Sequence, residues 1–393
     1  WINGDEIAAN GFDDDGNGYI DDVKGWDFCN SSSSSPPYCD LQKDNNPDDE
    51  HGHGSHVAGI AAASGNNGKG IAGVSWQAKI MPVKVLDKWG HGDTYNLSQA
   101  IRYAADNGAQ IINMSLGGGC GSGWPDVEDA VNYALSKGVL LVAASGNNGI
   151  SSISCPAALN GVMAVGATTS DDQRAGYSNY GSGLDVVAPG SSIYSTYLGG
   201  GYTTMTGTSM ATPHVAGLAA LLWSFVPSYT DSQVRDALQN TVDDLGTAGW
   251  DQYFGYGRIN ARRALESVSL QTQPEQLTLL LDDETGSVSG HIQITTANPE
   301  PITWTAVISP AVTWLEPAPP SSGSVSIASP DSISVLATTT GITYATHTAT
   351  VVVTGTAAGG EQLGPTTTQV TLHYVPQIYR YRLPFILKNS TVP

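Results

Sequence analysis

Three short stretches, met in order along the 393-residue chain, carry the residue types that acyl transfer needs. His51-Gly-His53-Gly-Ser55-His56 supplies imidazoles, which near neutral pH can take a hydroxyl proton and return it to a leaving amine. Ala143-Ala144-Ser145-Gly146-Asn147 ends an apolar run on a side-chain amide, a donor for a developing oxyanion. Gly207-Thr208-Ser209-Met-Ala-Thr-Pro213-His214 sets a serine at the mouth of an apolar helix, Val215 to Trp223, with Pro213 in its first turn. There the hydroxyl meets the positive end of the helix dipole and free backbone N–H groups.

The three motifs together, from about residue 10 to residue 264, resemble those of the subtilisin-like serine peptidases (subtilases). The resemblance implies that His53 is the general base, with Ser55 where the family usually has Thr. It implies that Ser209 is the nucleophile, and that Asn147 and the Ser209 amide form the oxyanion hole. His51 and His56 are then bystanders, His56 packed on the far side of the first helical turn; His214 is structural and Asn148 a turn residue. The stretch Ser115, Leu116, Gly117, Gly118 implies an exposed edge on which an extended peptide pairs as an added strand. Small residues from Ala143 to Gly146, among them Ala144 and Gly146, would floor a pocket roomy enough for a medium or large apolar side chain. One part is missing. Subtilases carry a third group, an aspartate in an Asp-Thr-Gly or Asp-Ser-Gly turn after an apolar strand, and no such turn precedes His53. Asp5 and Asp27 lie in loop sequence and replace it poorly. The expectation is an N-terminally truncated form of an active secreted endopeptidase. The rival is a catalytically inactive binding or adhesion protein.

The elements that must position these groups alternate. Strands are expected at Ile80–Val85, Ile111–Met114, Val139–Ala144, Val162–Val165 and Asp185–Ala188, and helices at Leu97–Asn107 and Val127–Ser136. Repeated units of this kind build an α/β fold, a mostly parallel sheet with helices on both faces. That peptidase domain should span 1–268, without the family's first strand. Residues 275–375 turn to Thr, Ser, Val and Pro with period-two runs such as Thr346–Thr354, which predicts an all-β immunoglobulin-like sandwich. Trp304 and Trp314 read as its core aromatics, with a sugar platform the alternative. A tail, 376–393, follows.

Composition bounds the rest. A net charge of −20 argues against nucleic acid as a partner, and no run of about twenty apolar residues is present to cross a membrane. Protein or peptide substrates remain, with a surface or glycan ligand open for the sandwich. Cys29 and Cys39 flank a Ser/Pro-rich loop that a bridge would close, and Cys120 and Cys155 each follow a strand end; two disulfides fit an oxidising compartment, four buried thiols being the alternative. The first 50 residues hold 13 of the 36 acidic side chains. Asp13, Asp15, Asn17, Tyr19 and Asp21 fall at calcium-loop spacing, with Gly18 at the turn and Lys24 where a bidentate Glu would stand. The segment Asp44–Asp49 resembles a second, looser calcium loop of thermostable subtilases.

Overall fold

The computed structural model describes residues 1–29, 39, 43–121, 124–227, 229–296, 301–317, 320–326, 329–357, 360 and 362–376. The expected tail falls, past residue 376, outside them. The chain divides into two compact units, Trp1–Leu265 and Glu266–Pro393.

The first unit runs β1 (Trp26–Asp27), α1 (His53–Ala62), β2 (Val83–Lys84), α2 (Thr94–Asp106), β3 (Ile111–Met114), α3 (Pro125–Ser136), β4 (Leu140–Ala144) and β5 (Val162–Thr168). It continues through β6 (Val186–Pro189), β7 (Ile193–Thr196), β8 (Tyr202–Met205), α4 (Thr208–Phe225) and α5 (Asp231–Asn240), and α6 (Ala261–Ser267) runs across its end at Leu265. Strands β3-β4-β5-β6 form a parallel sheet in sequence order, with Met114 beside Ala143, Ala144 beside Val165 and Val165 beside Val186. Every residue of β4 and β5 is buried, as expected of parallel strands covered on both faces. Helix α4 packs along this sheet beside α1, while α2 and α3 pack on each other and α3 on β4. Helix starts differ from the expected ones for local reasons. Asp93 caps α2 by accepting from Asn96 N at 2.8 Å, and Pro125 opens α3 with the N–H it lacks at no cost.

β1 and β2 make a separate two-stranded parallel piece. The strand expected over residues 80–85 is only Val83–Lys84, because a ladder needs partners and β2 has one described neighbour, of two residues. Met81–Val85 and Ile111–Met114 line the same large cavity, and Asn113 Oδ1 is buried without a hydrogen-bond partner. Among the described residues β2 and β3 therefore belong to separate sheets.

The described residues of the second unit form nine strands: β9 (Leu270–Gln273), β10 (Gln276–Leu281), β11 (Ser287–Thr296), β12 (Ile302–Ser309), β13 (Leu315–Pro317), β14 (Ser322–Val325), β15 (Asp331–Thr338), β16 (Ala345–Thr356) and β17 (Gln362–Tyr374). They form sheets of order β10-β17-β16-β12-β14 and β13-β15-β11-β9. All pairs are antiparallel except β10 with β17, which run parallel. Alternate residues of β12, β15 and β16 are buried, the period-two pattern of the sequence. Trp304 and Trp314 are buried, and Trp304 Nε1 donates to Asp331 Oδ2 at 3.0 Å, so neither offers a sugar platform.

Candidate active site

Ser209 is the second residue of α4, whose N-cap is Gly207. The helix begins seven residues earlier than its apolar run, so Pro213 lies inside it rather than in its first turn. Proline has no N–H, so the Ser209 carbonyl four residues back loses its helical partner. Ser115 fills the vacancy: its Oγ donates to Ser209 O at 2.8 Å, and Ser209 Oγ donates in turn to Ser115 O at 3.2 Å. The end of β3 and the start of α4 are thus fastened at the serine itself. Ser115→Ala leaves that carbonyl unpaired, so kcat should fall about tenfold with KM little changed, and Ser115→Thr should restore it. Equal kcat in all three proteins would show the contact to be idle.

Asn147 follows β4 on a turn that needs glycine. Gly146 has φ 109°, and a Cβ there would sit 2.3 Å from Asn179 Nδ2 and 2.4 Å from Ser154 Oγ. The Asn147 side-chain oxygen accepts from Thr208 N at 2.8 Å and Thr208 Oγ1 at 2.9 Å. A backbone N–H only donates, so this contact fixes which end of the amide is oxygen and leaves Nδ2 as the donor. Asn179 Oδ1 braces the turn by accepting from Asn148 N at 2.9 Å. Neither Thr208 nor Asn179 stood out in the sequence; each acts across more than thirty residues.

His53 opens α1, and Asp49 anchors that end of the helix. Its Oδ1 accepts from His51 N at 2.9 Å and Gly52 N at 2.7 Å, and its Oδ2 from Ser55 N at 2.7 Å. Burial works against the Asp49 charge, but the donors at Gly52, Ser55 and His51 prevail and hold its pKa below the usual carboxylate value. Asp49 thus caps the helix that carries His53. The hairpin β7–β8 grips the same helix. Ser195 Oγ donates to His56 O at 2.7 Å, Thr196 Oγ1 to Ser55 O at 2.7 Å, and Tyr197 OH to His51 O at 3.2 Å. β8 then leads directly to Ser209, so one hairpin connects the two reactive segments.

The His53 ring makes no hydrogen bond among the described residues. Burial first, then the like charge of His51, pushes its pKa below 6.5, against an opposing pull from Asp49. His56 is buried, with Nε2 at 3.0 Å from Ile193 O and 3.2 Å from Thr203 O; two carbonyls there require the proton on Nε2. His214 Nδ1 faces Met210 O at 2.8 Å. Both are packed, structural imidazoles, and burial lowers their pKa values too. All three lose protons on folding, so the unfolded chain binds more protons below pH 6.5 and stability must fall with pH there. The melting temperature should therefore be lower near pH 5 than near pH 7.5; a flat profile would contradict these burials.

His53, Asn147 and Ser209 all line one cavity of about 2660 Å³, together with Ser115, Leu116, Gly117, Gly118, Ala144 and Gly146. Cys29 is bonded to Cys39 and Cys120 to Cys155. In the acidic segment three carboxylates converge. Oxygens of Asp13 and Asp15 lie within 4.8 Å of one another and of an oxygen of Glu6. Asp21 accepts from Asn10 N and Gly11 N, both at 2.9 Å, as Glu6 does from Asp14 N at 2.9 Å and Asp21 N at 3.1 Å, and the Tyr19 ring packs on Trp26, Phe28 and Tyr103. Asn17 Oδ1 is turned to Tyr19 N at 2.8 Å. No described Lys or Arg is ion-paired with Glu6, Asp13 or Asp15.

Comparison with known proteins agrees with this geometry. The family model "Subtilase family" matches residues 17–257. The chain is 46% identical over 243 residues to the thermophilic serine proteinase of Bacillus sp. (strain AK1), covering 62% of this chain and 56% of that one. It is 44% identical over 244 residues to thermitase of Thermoactinomyces vulgaris, covering 62% and 81%. Among solved structures, sphericase superposes with a TM-score of 0.52 at 37% identity, over 60% of this chain and 83% of that one. The motifs, the sheet that carries them and these matches lead to one conclusion: the chain belongs to the subtilase family of serine peptidases.

Proposed function

We propose that the chain is a secreted endopeptidase unit that hydrolyses peptide bonds through an acyl-enzyme on Ser209. The observation that carries this reading is the Asn147 amide, its oxygen held by Thr208 so that Nδ2 is left to donate beside Ser209. In the forward step His53 takes the Ser209 proton as Oγ attacks the carbonyl carbon of the substrate. The new oxyanion takes hydrogen bonds from Asn147 Nδ2 and the Ser209 amide at the α4 N-terminus. The carbon–nitrogen bond then breaks as His53 returns the proton to the leaving amine, and water repeats the sequence on the ester. An imidazole whose pKa is depressed by burial is already neutral at pH 7 and available as base. Among the described residues no carboxylate is hydrogen-bonded to it, so its tautomer and orientation are unsupported and turnover is slow. Two disulfides support an oxidising compartment. Cleavage of an unfolded protein such as casein by the wild-type chain, abolished in Ser209→Ala, supports the reading. Casein bound but never cut would favour the binding-protein alternative.

Calcium is proposed for the acidic segment, held by Glu6 with Asp13 and Asp15. Three clustered carboxylates with no described cation beside them are a hard, oxygen-only donor set, and a divalent ion removes their mutual repulsion. An ion bound only by the folded chain adds RT ln(1 + [L]/Kd), about 2.7 kcal/mol at a hundredfold excess over Kd. The melting temperature should fall in chelator, and Glu6→Gln with Asp15→Asn should shrink that fall. An identical melt with and without chelator would make the segment a solvated loop.

A further inference from the structure

Segment 115–119 leaves β3 and runs along the cavity that holds Ser209. Three of its residues, Gly117, Gly118 and Gly119, have no side chain with which to pack, and glycine loses the most backbone freedom on ordering. Something else must hold the edge straight. Among the described residues its strand partner is Cys155: Gly118 N donates to Cys155 O at 2.9 Å, and Cys155 N to Gly118 O at 3.0 Å. Two residues further on, Cys120 is covalently bound to that same Cys155, with Cα atoms 5.2 Å apart. The next residue back, Ser154, is tied to the opposite wall. Its N donates to Ser145 O at 2.9 Å, and its Oγ accepts from Asn179 Nδ2 at 3.4 Å. One short strip, Ser154–Cys155, thus spans from the Ser145–Asn147 wall to the glycine edge.

We propose that the Cys120–Cys155 disulfide sets the width of the pocket between segments 115–119 and 144–147, and so positions the substrate side chain on the N-terminal side of the scissile bond. The proposal rests on the peptide-hydrolase reading. The Gly119 carbonyl also accepts from Trp124 Nε1 at 2.9 Å, but cross-linking the glycine run to its strand partner removes disorder that the run would otherwise regain. Backbone contact is already close: a Cβ on Gly117 would lie 2.8 Å from Cys155 O, so the two strips approach as nearly as glycine allows. With the bond cut, the edge can drift, and a large side chain loses a wall that a small one never touches.

The test compares labelling of Ser209 by peptidyl phosphonates that differ only in a Phe-like or Ala-like side chain, with diisopropyl fluorophosphate as a reagent that needs no pocket. In the disulfide-bonded protein the Phe-like reagent should react faster. In Cys120→Ala/Cys155→Ala the Phe-to-Ala rate ratio should fall about tenfold, while the fluorophosphate rate changes less than about threefold. Cys29→Ala/Cys39→Ala serves as the control and should keep the wild-type ratio. Gly117→Ala keeps the disulfide but forces the strips apart, and should lower the ratio too, which covers the case of a double variant that does not fold. A ratio unchanged in both test variants, or a parallel loss with all three reagents, overturns the proposal. No labelling of the wild-type chain by any reagent overturns the peptidase reading itself, and the clamp with it.

Discussion

On a peptide anilide, this 393-residue chain is expected to turn over about 10⁴-fold more slowly than thermitase under the same conditions. The base in a serine peptidase works only when its ring presents the correct nitrogen to the nucleophile, and a buried carboxylate on the other nitrogen enforces that. Here His53 has no such partner among the described residues. The acid whose charge acts on it, Asp49, already spends both oxygens on the amides of His51, Gly52 and Ser55. What remains is the oxyanion site and binding, which by themselves sustain roughly 10³- to 10⁴-fold over water. The ratio of kcat values measures it. A kcat within about tenfold of thermitase's would mean that another carboxylate reaches His53 in the working enzyme.

Asn147→Ala should lower kcat by about 10²- to 10³-fold with KM nearly unchanged, a magnitude carried over from a subtilisin. The asymmetry follows from where the donor points. Oδ1 is occupied by Thr208, so the free Nδ2 engages an oxygen only when that oxygen moves out of the peptide plane and gains charge. Because Oδ1 also ties the turn to α4, the fold must be checked; Thr208→Val removes the hydroxyl contact but keeps the amide one and should cost much less. A rise in KM at constant kcat for Asn147→Ala would move the side chain from transition-state to ground-state binding.

How much of this was legible in the sequence depended on how local each cause is. Ser209, His53 and Asn147 could be put forward as candidates because each sits in a contiguous motif at the end of an element. So did the buried strands β4 and β5, whose apolar runs need no partner to be recognised. The Cys120–Cys155 bond could be suggested from two strand ends, but not its tie to the glycine edge. Glu6 was missed as a companion of Asp13 because loop spacing looks forward along the chain, whereas Glu6 folds back from seven residues upstream. Asp49 was read only as part of a calcium loop; its hydrogen bonds to Gly52 N and Ser55 N, which anchor the start of α1, have no signal in the sequence spacing. The strand around Val83 shrank because strand length is a property of a pair, and no single segment carries it. Pro213 appeared to mark the start of a helix; only the structure gives the Ser209 carbonyl a partner at Ser115 that lets the helix begin earlier.

The central claim, that Ser209 is an activated nucleophile served by His53, is tested most directly by a serine-directed fluorophosphonate followed by mass spectrometry of the labelled peptide. The account predicts covalent modification at Ser209 in the wild-type chain. It predicts none in Ser209→Ala, and labelling slowed by at least about tenfold in His53→Ala, since removing the base removes the proton acceptor. A wild-type chain that stays folded and takes up no label, or one labelled equally fast without His53, would contradict it.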